Sequence, residues 1–278
     1  MTHHLNHPGS KPFKRKSVGQ ALSTYKSKPR PFGIIYAKRG RSDPSLGPDT
    51  LFFLLEPQVH RTAKLLRADR LVLNDPSLKR IYVKKDNKVS DISVCGPFLG
   101  APHAVMGMEK MIALGAQRFW VLGWCGSIDK SLKVGHIFLP TQAFSDEGTS
   151  KHYPMKGKIR PSGDLTKTLE QILLKKGLDY TKGGVWTTDA PYMETPEKMI
   201  KFRDRGALVV EMELAALMRV ARFRGVGITA LLVVSDELFE MKWRPGFSTK
   251  ELKEATREAA DCLLQAALTY KRRRDERS

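Results

Sequence analysis

Short runs of β-branched and aromatic residues alternate along this chain with stretches whose apolar residues recur every three or four positions. Runs of the first kind read as strands and runs of the second as amphipathic helices. The strand-like runs are Phe32 to Tyr36, Leu51 to Leu55, Ile81 to Lys84, Ile92 to Cys95, Arg118 to Leu122, His136 to Pro140, Gly184 to Thr188, Leu208 to Val210 and Ile228 to Val234. The helical runs are about Gln58 to Arg67, Pro102 to Leu114, Leu165 to Lys175, Pro196 to Arg203, Met212 to Arg222 and Thr249 to Tyr270. Proline in the first turn, as at Ala101-Pro102 and Thr195-Pro196, or a capping Ser248 opens several of them. The alternation predicts an α/β fold: a mainly parallel, twisted, mixed sheet flanked by helices on both faces.

Two of these runs end in acids. Ala207 to Val210 stops at Glu211-Met212-Glu213, which opens a helix carrying Leu214, Leu217, Met218 and Ala221 at helical spacing, and Ile228 to Val234 stops at Ser235-Asp236. In an open α/β sheet ligands bind beyond the carboxyl ends of the strands, so both acidic groups are expected at one rim. Each has a plainer reading: Glu211 and Glu213 as first-turn acids that suit the helix dipole, and Asp236 as a helix N-cap. Three more segments suit a ligand. Cys95 to Pro102 joins a strand to a helix through Gly96 and Gly100, and Gly123-Trp124-Cys125-Gly126-Ser127 follows the strand Arg118 to Leu122 with the same logic of close backbone approach. Thr187-Thr188-Asp189-Ala190-Pro191-Tyr192 ends another strand with an aromatic able to stack on a planar ring. Tight connections and a structural tyrosine would explain these segments equally.

Composition narrows the class. With 278 residues, 41% of them hydrophobic, the chain can bury one sizeable core. No apolar run approaches the roughly 18 residues of a membrane span, the polar N-terminus lacks the apolar stretch of a secretory leader, and Cys95, Cys125 and Cys262 show no metal-ligand spacing. A reducing cytoplasm is the expected compartment. The net charge of +19 is concentrated at the ends: residues 1–42 hold ten Lys or Arg and no acid, and residues 271–278 carry a net +3, which leaves +6 between them. Residues 1–31, rich in Pro, Ser, Lys and His without apolar period, read as a basic, disordered arm, residues 32–270 as one domain, and residues 271–278 as a basic tail. Such tails would make weak, salt-sensitive contact with nucleic acid, but no helix-turn-helix, zinc-finger or RNP-like pattern accompanies them.

The order of the pieces from about Asp91 to Leu238 resembles the nucleoside phosphorylase and nucleosidase superfamily, which includes uridine phosphorylase, hexameric purine nucleoside phosphorylase and methylthioadenosine nucleosidase. The resemblance is carried by Gly96 to Pro102, Gly123-Trp124-Cys125-Gly126, Asp146-Glu147-Gly148-Thr149-Ser150, Thr188-Asp189-Ala190-Pro191-Tyr192, Ser235-Asp236 and, most specifically, Val210-Glu211-Met212-Glu213. It implies a nucleoside phosphorylase-like fold and cleavage of an N-ribosidic bond. Glu213 would bind the ribose hydroxyls with Met212 packed beneath the sugar, and Tyr192, Ser235 and Glu211 would stand at the base. Asp236 would protonate a departing purine, with Arg244 as a candidate positive group beside it. The resemblance also implies a homo-oligomer, a dimer or a trimer of dimers, and calls for no metal or organic cofactor, only phosphate as co-substrate.

The acceptor pocket departs from the family pattern. The resemblance places it around Gly100, Gly123, Trp124 and Arg61, yet the phosphate-binding Arg and Ser/Thr positions are Val121 and Trp124 here, and the first-strand turn, Leu55 to Arg61, lacks the family's glycine. A phosphate unpaired in a low-dielectric cleft is unfavourable by several kcal/mol. Three alternatives stay open: phosphorolysis at a rebuilt site, hydrolysis with water activated by Glu56 or His60, and a non-catalytic nucleoside-binding protein in which Trp124 fills the vacated space.

Overall fold

The computed structural model of this chain describes residues 33–73, 80–83 and 92–275. The expected arm, residues 1–31, lies outside the described residues, as do residues 276–278 of the expected basic tail. Residues 1–36 and 37–278 cluster as separate units. Of the first unit, residues 33–36 are described: Gly33 to Ile35 form bends, with Ile34 and Ile35 almost wholly exposed. The strand expected at Phe32 to Tyr36 is therefore not formed there, since apolar residues alone do not hold an extended segment that no neighbouring strand pairs.

The second unit contains β1 (Asp49–Phe53), α1 (Glu56–Leu65), β2 (Asp69–Val72), β3 (Arg80–Val83), β4 (Ile92–Cys95), α2 (Ala101–Leu114), β5 (Arg118–Ser127), β6 (Ile137–Asp146), α3 (Gly163–Lys175), β7 (Tyr180–Thr188), α4 (Pro196–Asp204), β8 (Ala207–Glu211), α5 (Leu214–Arg224), β9 (Gly227–Glu237), β10 (Arg244–Pro245) and α6 (Lys250–Asp275). Short 3-10 helices cover Thr149–His152 and Pro191–Met193. Among the described residues the strands make one sheet in the order β10-β9-β6-β7-β8-β5-β1-β4-β3-β2, and β9 also pairs with β5, so part of the sheet closes on itself. Parallel pairs β4-β1-β5-β9 and β6-β7-β8 are joined through antiparallel contacts of β5 with β8 and β6 with β9. The expected α/β fold with a mixed sheet covered on both faces is the one observed.

Strand parity sorts the core into two layers. Phe52, Cys95, Phe119, Val121 and Cys125 face the layer shared with α2 and α5, whereas Leu51, Phe53, Val94, Trp120 and Leu122 face the layer shared with α1, α3 and α6. Asp49, fully buried on β1, accepts from Arg118 Nε and Nη2 at 2.8 and 2.7 Å and from Trp120 Nε1 at 2.9 Å, so its charge is paired where water cannot reach it.

One expected turn is a strand. Gly123 to Gly126 continues β5 instead of leaving the sheet, with a bulge between Cys125 and Gly126. Gly123 is needed for packing, because a Cβ there would lie 2.8 Å from Leu54 Cδ1 and 3.1 Å from Leu232 Cδ2. The final helix continues past Tyr270 to Asp275. Among the described residues no helix is long and apolar enough to cross a membrane.

Candidate active site

Glu211 ends β8 and turns back into the chain. Its Oε1 accepts from Thr187 Oγ1 at 2.5 Å, and its Oε2 accepts from the N–H groups of Glu213 and Leu214 at 2.7 and 2.8 Å. The Thr187 hydroxyl oxygen accepts in turn from the Ala215 N–H at 3.0 Å. The first turn of α5 is thus capped by a carboxylate from the neighbouring strand, which satisfies amides that the helix itself leaves free. Base contact, expected of Glu211, is not what its oxygens are arranged for: both are occupied, and the residue serves the bend that aims Glu213.

Glu213 sits one residue before α5 and is buried, yet its carboxylate is less saturated. Oε1 accepts from the Gly100 N–H at 2.6 Å, and the Met212 N–H also stabilises its charge. Gly100, with φ of 77°, turns its amide toward that oxygen just before α2. An ionised carboxylate has about four acceptor directions, so capacity remains for donors from a ligand. Burial first, and then the charge of Glu211, raises the Glu213 carboxyl above its ordinary range. Glu211 is raised by burial against the opposing effect of its three donors, with the charge of Glu147 adding to the rise. Glu147 is itself fully buried, accepting from Ser145 Oγ at 2.8 Å and the Ser150 N–H at 2.9 Å.

Asp236 is the penultimate residue of β9. Its Oδ1 accepts from Ser235 Oγ at 2.6 Å and its Oδ2 from Trp243 Nε1 at 2.9 Å. Ser235 is buried and its hydroxyl also lies 3.2 Å from the Cys125 carbonyl oxygen, so it steadies the acid from beneath and is not presented to a base.

Strand β8, which ends at Glu211 and leads into Glu213, and β9, which carries Asp236, flank one glycine. Gly126 of β5 is in register with Val210 of β8 on one side and with Asp236 of β9 on the other. At the usual spacing of strands the outer two Cα atoms are therefore roughly 10 Å apart. A Cβ on Gly126 would lie 3.1 Å from Asp236 Oδ2 and 3.3 Å from Val210 Cγ1, which shows that Asp236 leans over β5 toward β8. The charges of both Asp236 and Glu211 act on the buried Cys125 thiol, adding to the rise that burial causes. Glu194, between the second 3-10 helix and α4, also faces Asp236: burial first and that charge second push its carboxyl up to about 7. The result is a group of partly desolvated acids at the ends of β8 and β9, an electrostatic setting that favours a neutral polar ligand gaining positive charge as it reacts.

Other expected positions are dispersed. Met212 is half-buried between the two glutamates. Tyr192 is fully exposed in the 3-10 helix Pro191–Met193. Arg244 is ion-paired with Glu240 and pairs in register with Glu237, not with Asp236. The four positions expected to form an acceptor pocket are split between the two faces of the sheet. Gly100 is on the α2 side, but Arg61 makes a bidentate pair with Asp261 of α6 at 2.7 and 2.9 Å, and Trp124 donates from Nε1 to Thr256 of α6 at 2.9 Å. Gly123 is enclosed by leucines. Trp124 therefore does not plug the cleft beside Glu213, because strand parity sends it to the opposite layer. Sequence reasoning passed over Glu194 and Trp243, which no apolar period or motif marks, and it quoted Glu147 within a motif without assigning it a role, its burial on a polar segment being visible only once that segment folds.

A model of the phosphorylase superfamily matches residues 57–272. A guanosine phosphorylase of Halorubrum lacusprofundi is 26% identical over 212 residues, 76% of this chain and 87% of the relative. A DeoD-type purine nucleoside phosphorylase of Bacillus cereus is 31% identical over 151 residues, 53% of this chain and 64% of the relative, so the matched part spans just under two thirds of that protein. Among solved structures, purine nucleoside phosphorylase from Toxoplasma gondii in complex with immucillin-H superposes with a TM-score of 0.72 at 18% identity, covering 82% of this chain and 93% of the other, a likeness of fold.

Proposed function

The chain belongs to the phosphorylase superfamily, and from that premise we propose that it cleaves the N-ribosidic bond of a purine nucleoside, with phosphate as the acceptor. The observation that supports this reading is that β8, whose end leads into Glu213, and β9, which carries Asp236, flank Gly126 of β5 through Val210 and Asp236. The ribose hydroxyls donate to the Glu213 carboxylate, whose Oε1 is fixed by Gly100. Because burial raises that carboxyl, sugar binding and loss of its proton are linked, each donated hydrogen bond favouring the charged form. As the bond from C1′ to the base nitrogen breaks, its electron pair stays with the base and the sugar becomes cationic. The carboxylates near the sugar stabilise that cation, a proton taken up from solvent passes through Asp236 to the base, and an acceptor oxygen bonds C1′.

The relatives named guanosine phosphorylase and purine nucleoside phosphorylase favour a purine substrate and phosphate. A second reading, hydrolysis by water, is favoured by the commitment of Arg61 and Trp124 to α6 and the complete burial of Val121. Incubation with a panel of purine and pyrimidine nucleosides, with and without phosphate, and quantification of free base separates them. Phosphorolysis gives base only with phosphate, hydrolysis gives it equally without, and base from neither removes both.

A further inference from the structure

The segment from Leu238 to Thr249 folds back over the end of β9. Arg244 and Pro245 pair antiparallel with Glu237 and Asp236, and the Gly246 N–H donates to the Ser235 carbonyl at 2.8 Å. Gly246 has no room for a side chain: a Cβ would sit 2.5 Å from Val134 Cγ1 and 2.9 Å from Ser235 O. The strap is thus anchored at Gly246, while Trp243, three residues earlier, projects with 59% of its surface exposed. Its ring lies 6.2 Å from that of Phe247, which in turn lies 6.0 Å from Trp124.

The two hydrogen bonds on Asp236 differ in kind. Ser235 is buried in the sheet, and its hydroxyl can donate to or accept from the acid, so it tolerates either protonation state. The indole N–H of Trp243 only donates, and it occupies Oδ2, the oxygen over Gly126 and nearer β8. A heterocycle seeking the acid from the Glu213 side meets an oxygen already taken by an exposed, displaceable group.

We infer that Trp243 is a gate on Asp236: in the empty protein its indole N–H holds Oδ2, and a base engages the acid by displacing it. Trp243 is then a positioning residue that sets how readily a nucleoside binds, without acting in the bond-breaking step. The inference rests on the proposed role of Asp236, so its test must be able to fail separately.

Trp243→Phe keeps an aromatic ring and removes the donor. The empty variant has no bond to break before the base enters, so KM falls about fivefold, the equivalent of one ordinary net hydrogen bond, while kcat is unchanged because the gate is already open in the bound state. A damaged strap would do the reverse, raising KM or lowering kcat. Intrinsic fluorescence supplies a second signature. Of the four tryptophans, Trp120 and Trp186 are fully buried and Trp124 is tied to α6, so a nucleoside-induced emission change in the wild type that is lost in Trp243→Phe reports the displacement. Base release by the wild type with unchanged KM and an unchanged emission response in the variant overturns the gate and leaves the proposed reaction standing. A wild type that neither binds nor cleaves any nucleoside overturns both.

Discussion

Replacing Glu194 by Gln removes a carboxyl that ionises only at a cost to the fold. Its ordinary value of 4.5 is pushed up to about 7 by burial and by the facing charge of Asp236, and among the described residues no hydrogen bond reaches its oxygens. The folded protein therefore holds this proton more tightly than the unfolded chain. The resulting stabilisation is complete below about pH 4.5 and is lost as pH rises through about 7. A separation of about 2.5 pH units corresponds to at most ~3.4 kcal/mol, and because the side chain keeps contact with solvent we reduce this to ~1–2 kcal/mol. Chemical denaturation of both proteins at pH 4.5 and pH 8 measures it. Contributions from every other group cancel in the difference, so Glu194→Gln should equal the wild type at the lower pH and exceed it by ~1–2 kcal/mol at the higher. A difference between the proteins that is the same at both values would show that Glu194 ionises without penalty, and would refute the argument that it faces Asp236 in a desolvated cleft.

Gly126→Ala tests the close approach of the two strand ends. Leu238 Cδ1, at 2.4 Å from the new Cβ, is the tip of a flexible side chain and can move, whereas Asp236 Oδ2 at 3.1 Å must shift by a few tenths of an ångström. The unfolding free energy should change by only ~1 kcal/mol, but base release should fall about tenfold, since displacement of an acid by a fraction of an ångström is costly to rate; a wild-type rate would place the acid elsewhere. Trp124→Phe removes the hydrogen bond to Thr256, so thermal or chemical denaturation should show a loss of ~1 kcal/mol. The dependence of its rate on phosphate should be unaltered, and a changed phosphate KM would return Trp124 to the acceptor site. Glu213→Gln keeps size but weakens acceptance from the sugar hydroxyls, and nucleoside affinity measured by calorimetry should drop about tenfold or more. Unchanged affinity would mean that the sugar is held by other groups.

The parts of the fold that could be read from the chain are those with a strong period. Ile228 to Val234, apart from Thr229, and Leu208 to Val210 are apolar because both faces of their strands are covered, and the amphipathic α3 and α6 have one covered stripe. The end of β5 was not legible, because Gly123 and Gly126 read locally as turn residues while their actual reason is lack of space against Leu54, Leu232 and Asp236, which lie far off in sequence. Had the strand been extended through Gly126, alternation alone would have put Trp124 with Trp120 and Leu122 on the α6 side. The acids at the strand ends were visible as a pair, but which glutamate caps α5 and which faces the cleft depends on the backbone at Met212 and on Thr187 of a neighbouring strand. Arg61 offered no hint of its partner, since Asp261 follows it by 200 residues. Trp243 and β10 carry no periodic signal, and their position follows from pairing with β9 alone.

The central claim is that Glu213 and Asp236 act on one nucleoside across Gly126, and the rate of free-base release by Asp236→Asn tests it most directly. Asparagine preserves the shape of the side chain and its contacts with Ser235 but has no proton to deliver to a leaving base. With a purine nucleoside that the wild type cleaves, the variant should still bind yet release base about 10²- to 10⁴-fold more slowly. Release at the wild-type rate would contradict the assignment of Asp236 as the acid, and with it the account of how this cleft works.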